Sequence, residues 1–272
     1  MSKPLFSIII CNYNNGHYFT KCFETLINQK FTEFEVIIVD DKSSDNSIEI
    51  IEDLIKNDER FKFYINEKNS GYSFTLDRGI RLANSEIIAR VDPDDGITEN
   101  AISEMYKVLE NGSYCAAYSQ MYQCDEDLNV KGVVPTTRRI PVGNKNFFNI
   151  FFEITHFFAF KKSAYLKVGG LDTTLSSSVD QDLYLKLYEY GLFKFVKQPF
   201  YYYRIHNAGI SQDLNKKIKL KANRNKVLEN TIKRRGFSKL YGVEVNQIDD
   251  LINFIFNKQN TIFKKLQRKI GW

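Results

Sequence analysis

An α/β fold with a mostly parallel sheet flanked by helices is what this chain predicts, and three observations carry the prediction. Short β-rich apolar runs alternate with helix-spaced segments through residues 1 to 100. Asn- and Asp-rich clusters follow three of those runs, at the strand ends where open parallel sheets bind ligands. The composition, 43% hydrophobic and 26% charged over 272 residues, is that of a globular chain able to bury one large core or two modest ones.

The first run, Leu5 to Cys11, reads as a buried strand and gives way to the turn cluster Asn12-Tyr13-Asn14-Asn15-Gly16 and a helix-like segment from Tyr18 to Gln29. Phe34 to Val39 is the second strand, ended by Asp40-Asp41. Ser43-Ser44-Asp45 then offers helix N-cap chemistry, with Ile48, Ile51, Leu54 and Ile55 at helical spacing. Phe61 to Ile65 is a third strand, Gly71 to Ala83 a turn and helix, and Ile87 to Val91 a fourth strand. Beyond Gly96 the spacing predicts a helix from Glu99 to Leu109, a strand from Tyr114 to Ser119, and a long polar connection through Val142. An aromatic block from Phe147 to Phe160, Gly169-Gly170, a helix from Asp182 to Tyr190, a strand from Phe193 to Val196 and the run Phe200 to His206 complete the second half. Lysine-rich helices, broken near Gly236 and Gly242, follow.

Val91-Asp92-Pro93-Asp94-Asp95 places three carboxylates in four positions directly after the fourth strand. Gathering that much negative charge is costly unless a cation or hydrogen-bond donors meet it. Oxygen-rich sites suit Mg²⁺ or Mn²⁺, and such ions bridge nucleotide phosphates. The same residues are also good turn formers, so the motif alone leaves both readings open.

Net charge is +5, but it is unevenly spread. Residues 207 to 272 hold 15 Lys and Arg against 5 Asp and Glu, a surplus of +10, which leaves 23 against 28, or −5, for residues 1 to 206. A basic tail of this kind points to an anionic surface. Apolar stretches are far shorter than the roughly 20 residues that span a bilayer, and no signal-peptide core follows Met1, so a cytoplasmic chain is expected. Cys11, Cys22, Cys115 and Cys124 form no Cys-x-x-Cys pair and are expected as buried thiols.

Ser7 to Asn14, Val36 to Asp45 and Val91 to Asp95, in this order, resemble the family 2 glycosyltransferases. The resemblance covers roughly residues 5 to 206 and implies the GT-A fold, a Rossmann-like sheet with a nucleotide-sugar half over 1–100 and an acceptor half over 101–206, followed here by a basic helical extension over 207–272. It implies a nucleotide-sugar donor, with UDP suited best: Asn12 and Tyr13 fall at the base pocket, where Tyr13 stacks on a pyrimidine and Asp41 accepts from its ring N–H. Asp92 and Asp94 match the family's Asp-x-Asp acids. Asp92 then faces ribose or metal, while Asp94, with Asp95 as competitor, holds Mn²⁺ or Mg²⁺ between the phosphates.

Ser178 to Leu187 resembles the family segment Glu-Asp-x-Asp-Leu-Trp-Leu-Arg-Leu, which puts Asp180 at the catalytic base position. Val179 replaces the usual first acid, and Asp182 reads as an N-terminal helix acid. Tyr203-Arg204-Ile205-His206 resembles the family's Tyr-Arg-x-His ending, so that His206 contacts diphosphate or metal with Arg204 nearby; a packing role for His206 is the alternative. In Gly71 to Gly79 the family often carries Ala-Arg-Asn-x-Gly, and Leu76 stands at the arginine position, with Arg78 or Arg90 as substitutes. Thr155 to Phe158 and the loop from Leu171 to Val179 flank Asp180 on the acceptor side.

The resemblance thus implies an inverting, metal-dependent transferase that moves a sugar to a glycan or lipid-linked glycan in surface polysaccharide synthesis. A catalytically impaired sugar- or nucleotide-binding relative is the alternative, on account of Val179 and Leu76. The tail's clusters at Lys216 to Lys219, Lys233 to Arg235 and Lys264 to Lys269, interleaved with Phe254, Ile255, Phe256, Ile262, Phe263, Leu266, Ile270 and Trp272, suit peripheral contact with the inner face of an anionic membrane, or a solvated helical cap or dimer contact. Nucleic acid is not an expected partner, since acid clusters line the crevice. A dinucleotide-dependent oxidoreductase lacks its Gly-x-Gly-x-x-Gly after the first strand.

Overall fold

Residues 3–206 and 214–261 are described by the computed structural model, the side chains of 214–217 excepted. The chain alternates as expected through β1 (Phe6–Asn12), α1 (Gly16–Ile27), β2 (Phe34–Asp40), α2 (Ser47–Ile55), β3 (Phe61–Ile65), α3 (Tyr72–Leu82) and β4 (Ile87–Arg90). The two-residue β5 (Gly96–Ile97) and α4 (Ala101–Leu109) lead into the second half, built from β6 (Ala116–Cys124), β7 (Val130–Val133), β8 (Phe158–Lys161), α5 (Lys162–Lys167), α6 (Val179–Tyr190) and β9 (Phe193–Arg204). The tail contributes α7 (Leu214–Arg234), the small hairpin β10 (Lys239–Leu240) and β11 (Val243–Glu244), and α8 (Leu251–Gln259).

Main-sheet strands lie in the order β3-β2-β1-β4-β8-β6-β9-β5, with β7 added on β6. The β3-β2-β1-β4 half is parallel throughout, and β6 and β9 point the same way across the antiparallel β8. Among the described residues, most of the sheet therefore shares one direction. Every residue of β1 and β2 is buried, as a sheet covered on both faces requires. Alternate side chains divide between two layers: Ile8, Ile10, Val36 and Ile38 pack with α1, α2 and α4, while Ile9, Cys11, Ile37 and Val39 pack with α3 and α6. All four cysteines are buried thiols.

Parallel register has a direct consequence for function. Asn12 pairs with Asp40, and Ile9 with Arg90, so the segments after β1, β2 and β4 emerge along the same sheet margin. Strand β9 ends there too, and β5 pairs Gly96 and Ile97 with Tyr202 and Tyr201, locking the Asp-rich turn to the end of β9. The sequence reads β9 as two separate runs because Lys197, Gln198 and Pro199 interrupt the apolar pattern. In the structure they belong to one strand, and β6 and β9 stay paired across register shifts at Ser119 to Met121.

The first residues of α1 and α2 touch under this margin. Gly16 N–H donates to Ser47 Oγ at 2.8 Å, and a Cβ on Gly16 would fall 2.5 Å from the Ser47 Cα. Because the obstacle is backbone, Gly16→Ala is expected to destabilise by about 1–3 kcal/mol, the usual cost of overpacking. Urea unfolding measures this, and an unchanged midpoint would contradict it.

Helices α7 and α8 do not stand apart from the rest. Leu228, Ile232, Leu240, Leu251 and Ile255 form a small core with Phe148 and Ile150 of the preceding half. Ile255 is thus used internally and Phe254 packs against the same core, while Phe256 is exposed. Gly236 and Gly242 both take positive φ where the tail helices break, as expected. Ile262, Phe263, Lys264 to Lys269, Ile270 and Trp272 lie outside the described residues, as do the side chains of Lys216 and Lys217. Among the described residues no helix is long and apolar enough to cross a membrane.

Candidate active site

Two carboxylates end β2, and their surroundings give them different work. Asp40 is fully buried and accepts from Ser43 N–H (2.7 Å), Ser43 Oγ (2.7 Å) and Asn12 Nδ2 (2.7 Å), so it ties the β1 and β2 turns together. Asp41 accepts from Asn66 Nδ2 (2.7 Å) and from the backbone N–H groups of Ser70 and Gly71 (2.8 Å each). A carboxylate offers about four acceptor positions, which leaves Asp41 about one more. Asn66 is itself oriented by Arg78, which donates to its Oδ1 at 2.5 Å. Beside them Tyr13 is half exposed, and the buried Asn12 has an Oδ1 without a hydrogen-bond partner among the described residues. An exposed ring next to amide and carboxylate groups is what recognition of a planar, hydrogen-bonding base requires.

The Asp92–Asp95 turn separates its acids in the same way. Asp95 is buried; its Oδ1 accepts the Arg204 backbone N–H at 2.8 Å, and burial, then Asp94 and Asp92, push its pKa well above the carboxylate range. Asp94 turns outward and its Oδ2 lies 3.0 Å from His206 Nε2, whose Nδ1 meets the Tyr18 hydroxyl at 3.1 Å. Of the two competitors, Asp95 is buried and bound to backbone, whereas the Asp94 side chain remains 23% exposed beside His206. Arg204 donates to the carbonyls of Asp94 and Glu126, and its guanidinium lies 4.9 Å from the Tyr18 ring centre, while its buried Nη2 has no partner among the described residues. No three His, Cys, Asp or Glu side chains converge as a ready-made metal cluster among the described residues. One carboxylate and one imidazole fit an ion that takes its other ligands from phosphate oxygens and water.

The floor between the two halves is a narrow pocket whose polar lining is Arg90, His156 and Asp180, with Leu76, Leu183 and Tyr184 among its apolar walls. Arg90 is held from three sides, donating to the Tyr72 hydroxyl, to a ring nitrogen of His156 and to Asp92 Oδ2 at 3.2 Å. His156 stacks on Tyr201 with ring centres 5.0 Å apart, and burial, then Arg90, hold its pKa well below the usual histidine value, so the ring is neutral. Asp180 sits in the first turn of α6, where it accepts the Gln181 backbone N–H at 2.8 Å. His156, Tyr72 and Tyr201 are not legible in the sequence as individual site residues. Their one signal is that His156 is among only three histidines in the chain.

Buried Val179 and Leu76 explain two departures from the family pattern: each packs in the core layer beneath α3 and α6, where a charged side chain would be desolvated. Arg90 lines the pocket beside Leu76, whereas Arg78 faces the β3 end and donates to the Ile65 carbonyl. Asp182 lies in the first turn of α6, as expected of an N-terminal helix acid, and it is also fully buried and ion-paired to Lys186 at 2.7 Å, with Arg234 of α7 at 3.6 Å.

Asp92 carries a pH signature. Burial pushes its carboxyl up to about 6, opposed by Arg90 and reinforced by Asp94 and Asp180. A folded-state pKa above the unfolded one means that the folded chain binds more protons between about pH 4 and 6, so this group's contribution to stability is lost as pH rises through that window. Relative to the wild type, Asp92→Asn is expected to gain on the order of 2 kcal/mol between pH 4 and 6.5. Parallel urea curves at the two pH values check it, and a pH-independent difference would contradict it.

A model of the family described as Glycosyl transferase family 2 matches residues 7–169. The chain belongs to glycosyltransferase family 2. Chondroitin synthase of Escherichia coli is 28% identical over 260 residues, covering 94% of this chain and 36% of that protein. Hyaluronan synthase of Pasteurella multocida is 26% identical over 256 residues, covering 94% and 26%. The chain thus spans about a third or less of the length of these relatives. Among solved structures, S. aureus TarS 1-349 superposes with a TM-score of 0.65 at 20% identity, covering 98% of this chain and 78% of that one. Its complex with UDP-GlcNAc gives 0.65 at 18%, covering 97% and 78%. The mannosyltransferase PcManGT from Pyrobaculum calidifontis, in complex with GDP-Man and Mn²⁺, gives 0.58 at 13%, covering 86% and 64%. The fold is GT-A.

Proposed function

We propose that this chain is an inverting glycosyltransferase that moves a sugar from a UDP-linked donor to a hydroxyl of a glycan or lipid-linked glycan, in the synthesis of a surface polysaccharide. One observation carries this most: Asp180 from the acceptor half and Arg90, next to Asp92, from the donor half line the same pocket. The relatives named as chondroitin and hyaluronan synthases, and the TarS complexes with UDP and UDP-GlcNAc, support it.

Tyr13, Asn12 and the remaining acceptor position on Asp41 would take the base. Asp94 and His206 would hold Mn²⁺ or Mg²⁺, which when bound supplies Lewis-acid neutralisation of the diphosphate. Asp92, steadied by Arg90, borders the ribose and phosphate. Asp180 accepts the proton of the attacking hydroxyl from the face opposite the leaving group, and a single direct displacement inverts the anomeric centre. Arg90, fixed by neutral His156 and by Tyr72, keeps a cation next to Asp92 in the pocket that Asp180 lines.

Incubation with a panel of UDP- and GDP-sugars, with and without Mn²⁺, tests this. Release of UDP that depends on the ion is expected, and consumption of no donor would contradict it. Donor binding without turnover would favour the second reading, an impaired relative, to which the apolar Leu76 and Val179 lend support. On the proposed reading the chain works in the cytoplasm with its basic tail on the inner face of the membrane. Because α8 fills an internal core, removal of 262–272 is the informative truncation; unchanged sedimentation with anionic liposomes would count against that placement.

A further inference from the structure

Helix α7 bridges the loop that leads into α6 and the segment from Ile150 to Phe152. Asn223 Nδ2 donates to the hydroxyls of Ser176 (2.9 Å) and Ser177 (2.8 Å), and Lys226 Nζ donates to Thr174 Oγ1 (2.8 Å), so the helix holds the loop that leads into α6. Arg224, the neighbour of Asn223, reaches the opposite loop. Its Nη2 donates to the Ile150 carbonyl at 2.8 Å, and its guanidinium carbon lies 4.5 Å from the Phe152 ring centre. Phe152 is held at φ +55° with 51% of its surface exposed, an unusual posture for a large aromatic side chain.

Arg224 Nε is buried and has no acceptor among the described residues. Leaving a buried guanidinium N–H unmade is costly, and such groups call for a partner that completes them. Asn223, next to Arg224, binds Ser177 three residues before Asp180, which puts Arg224 on the side of the loop leading to that acid; burial lowers the Arg224 pKa, opposed by Asp180 and then Glu153, and Glu153 is already engaged by Arg138 at 3.0 Å. A cation with an unused N–H and a half-exposed ring therefore sit together on the acceptor side of the proposed base. Guanidinium groups favour carboxylate and phosphate oxygens, and aromatic rings favour the faces of sugars.

We infer that Arg224 and Phe152 form an acceptor subsite for an anionic group, the carboxylate of an acidic sugar or the phosphate of a phosphorylated glycan, beside the hydroxyl presented to Asp180. The inference rests on the proposed role of Asp180 but is tested without turnover. Three forms of one disaccharide serve as probes: with a terminal glucuronic acid, with its methyl ester, and with a terminal phosphate. Calorimetric titration into the full chain is expected to show at least one anionic form bound about tenfold more tightly than the ester. The tighter of the two anionic forms identifies the source. Arg224→Gln is expected to abolish the preference and Arg224→Lys to keep part of it. Equal binding of acid, phosphate and ester, binding of none of them, or a preference that survives R224Q would overturn the inference. If R224Q fails to fold, the wild-type comparison and R224K still decide it. Failure of the enzymatic proposal itself shows elsewhere, as a panel of nucleotide sugars none of which is consumed.

Discussion

Asp180→Asn is expected to lower sugar transfer by about 10²–10⁴-fold, the range a positioned general base contributes. The substitution is nearly isosteric, and the one hydrogen bond it must keep, from the Gln181 N–H to Oδ1, is one an amide oxygen can also accept. Donor binding and the unfolding midpoint should therefore stay close to wild type, which confines the loss to kcat. A variant with full turnover would remove Asp180 from the base position. A variant that loses donor binding to the same extent as turnover would make it a donor ligand instead.

Two residues further on, Asp182→Ala is expected to have the opposite profile. Asp182 is fully buried, pairs with Lys186 at 2.7 Å and lies 3.6 Å from Arg234, which also binds Glu189 at 2.9 Å. Removing one partner of a buried pair costs about 3–5 kcal/mol, because the remaining charge stays desolvated. The loss should appear in urea unfolding and extend to α7, since Arg234 is one of the residues that bind that helix to α6. A loss below about 1 kcal/mol would show that the pair is effectively solvated. The two acids share a helix turn, and only their surroundings separate them: Asp180 faces the pocket, whereas Asp182 faces α7.

Much of this is legible in the chain. β-rich runs, turn clusters and helical spacing locate β1 to β4 and their helices to within a few residues, because a parallel sheet buried on both faces leaves uninterrupted apolar strands. β7 leaves no such mark: all four of its residues are exposed, so no burial pattern betrays it. α5 is only six residues long, too short to show a periodicity. At the site, the acids after β2 and β4 stand out as candidates, but their division of labour does not. Asp40 and Asp95 are buried and bound by the chain's own donors, while Asp94 is turned outward, and that depends on contacts with residues as distant as Arg204. The part of α7 in the acceptor half is hidden for the same reason. Its basic residues read as a solvated or membrane-facing surface, yet Arg224, Arg234 and Arg235 point inward to Ile150, Glu189 and Phe147.

Calorimetric titration of UDP into the chain, with and without Mn²⁺ and repeated on Asp94→Ala, tests the central claim most directly. Ion-dependent binding by the wild type and its loss in the variant are the expected result. UDP binding that is indifferent to both the ion and Asp94, or absent altogether, would contradict a nucleotide-diphosphate site at the end of β4.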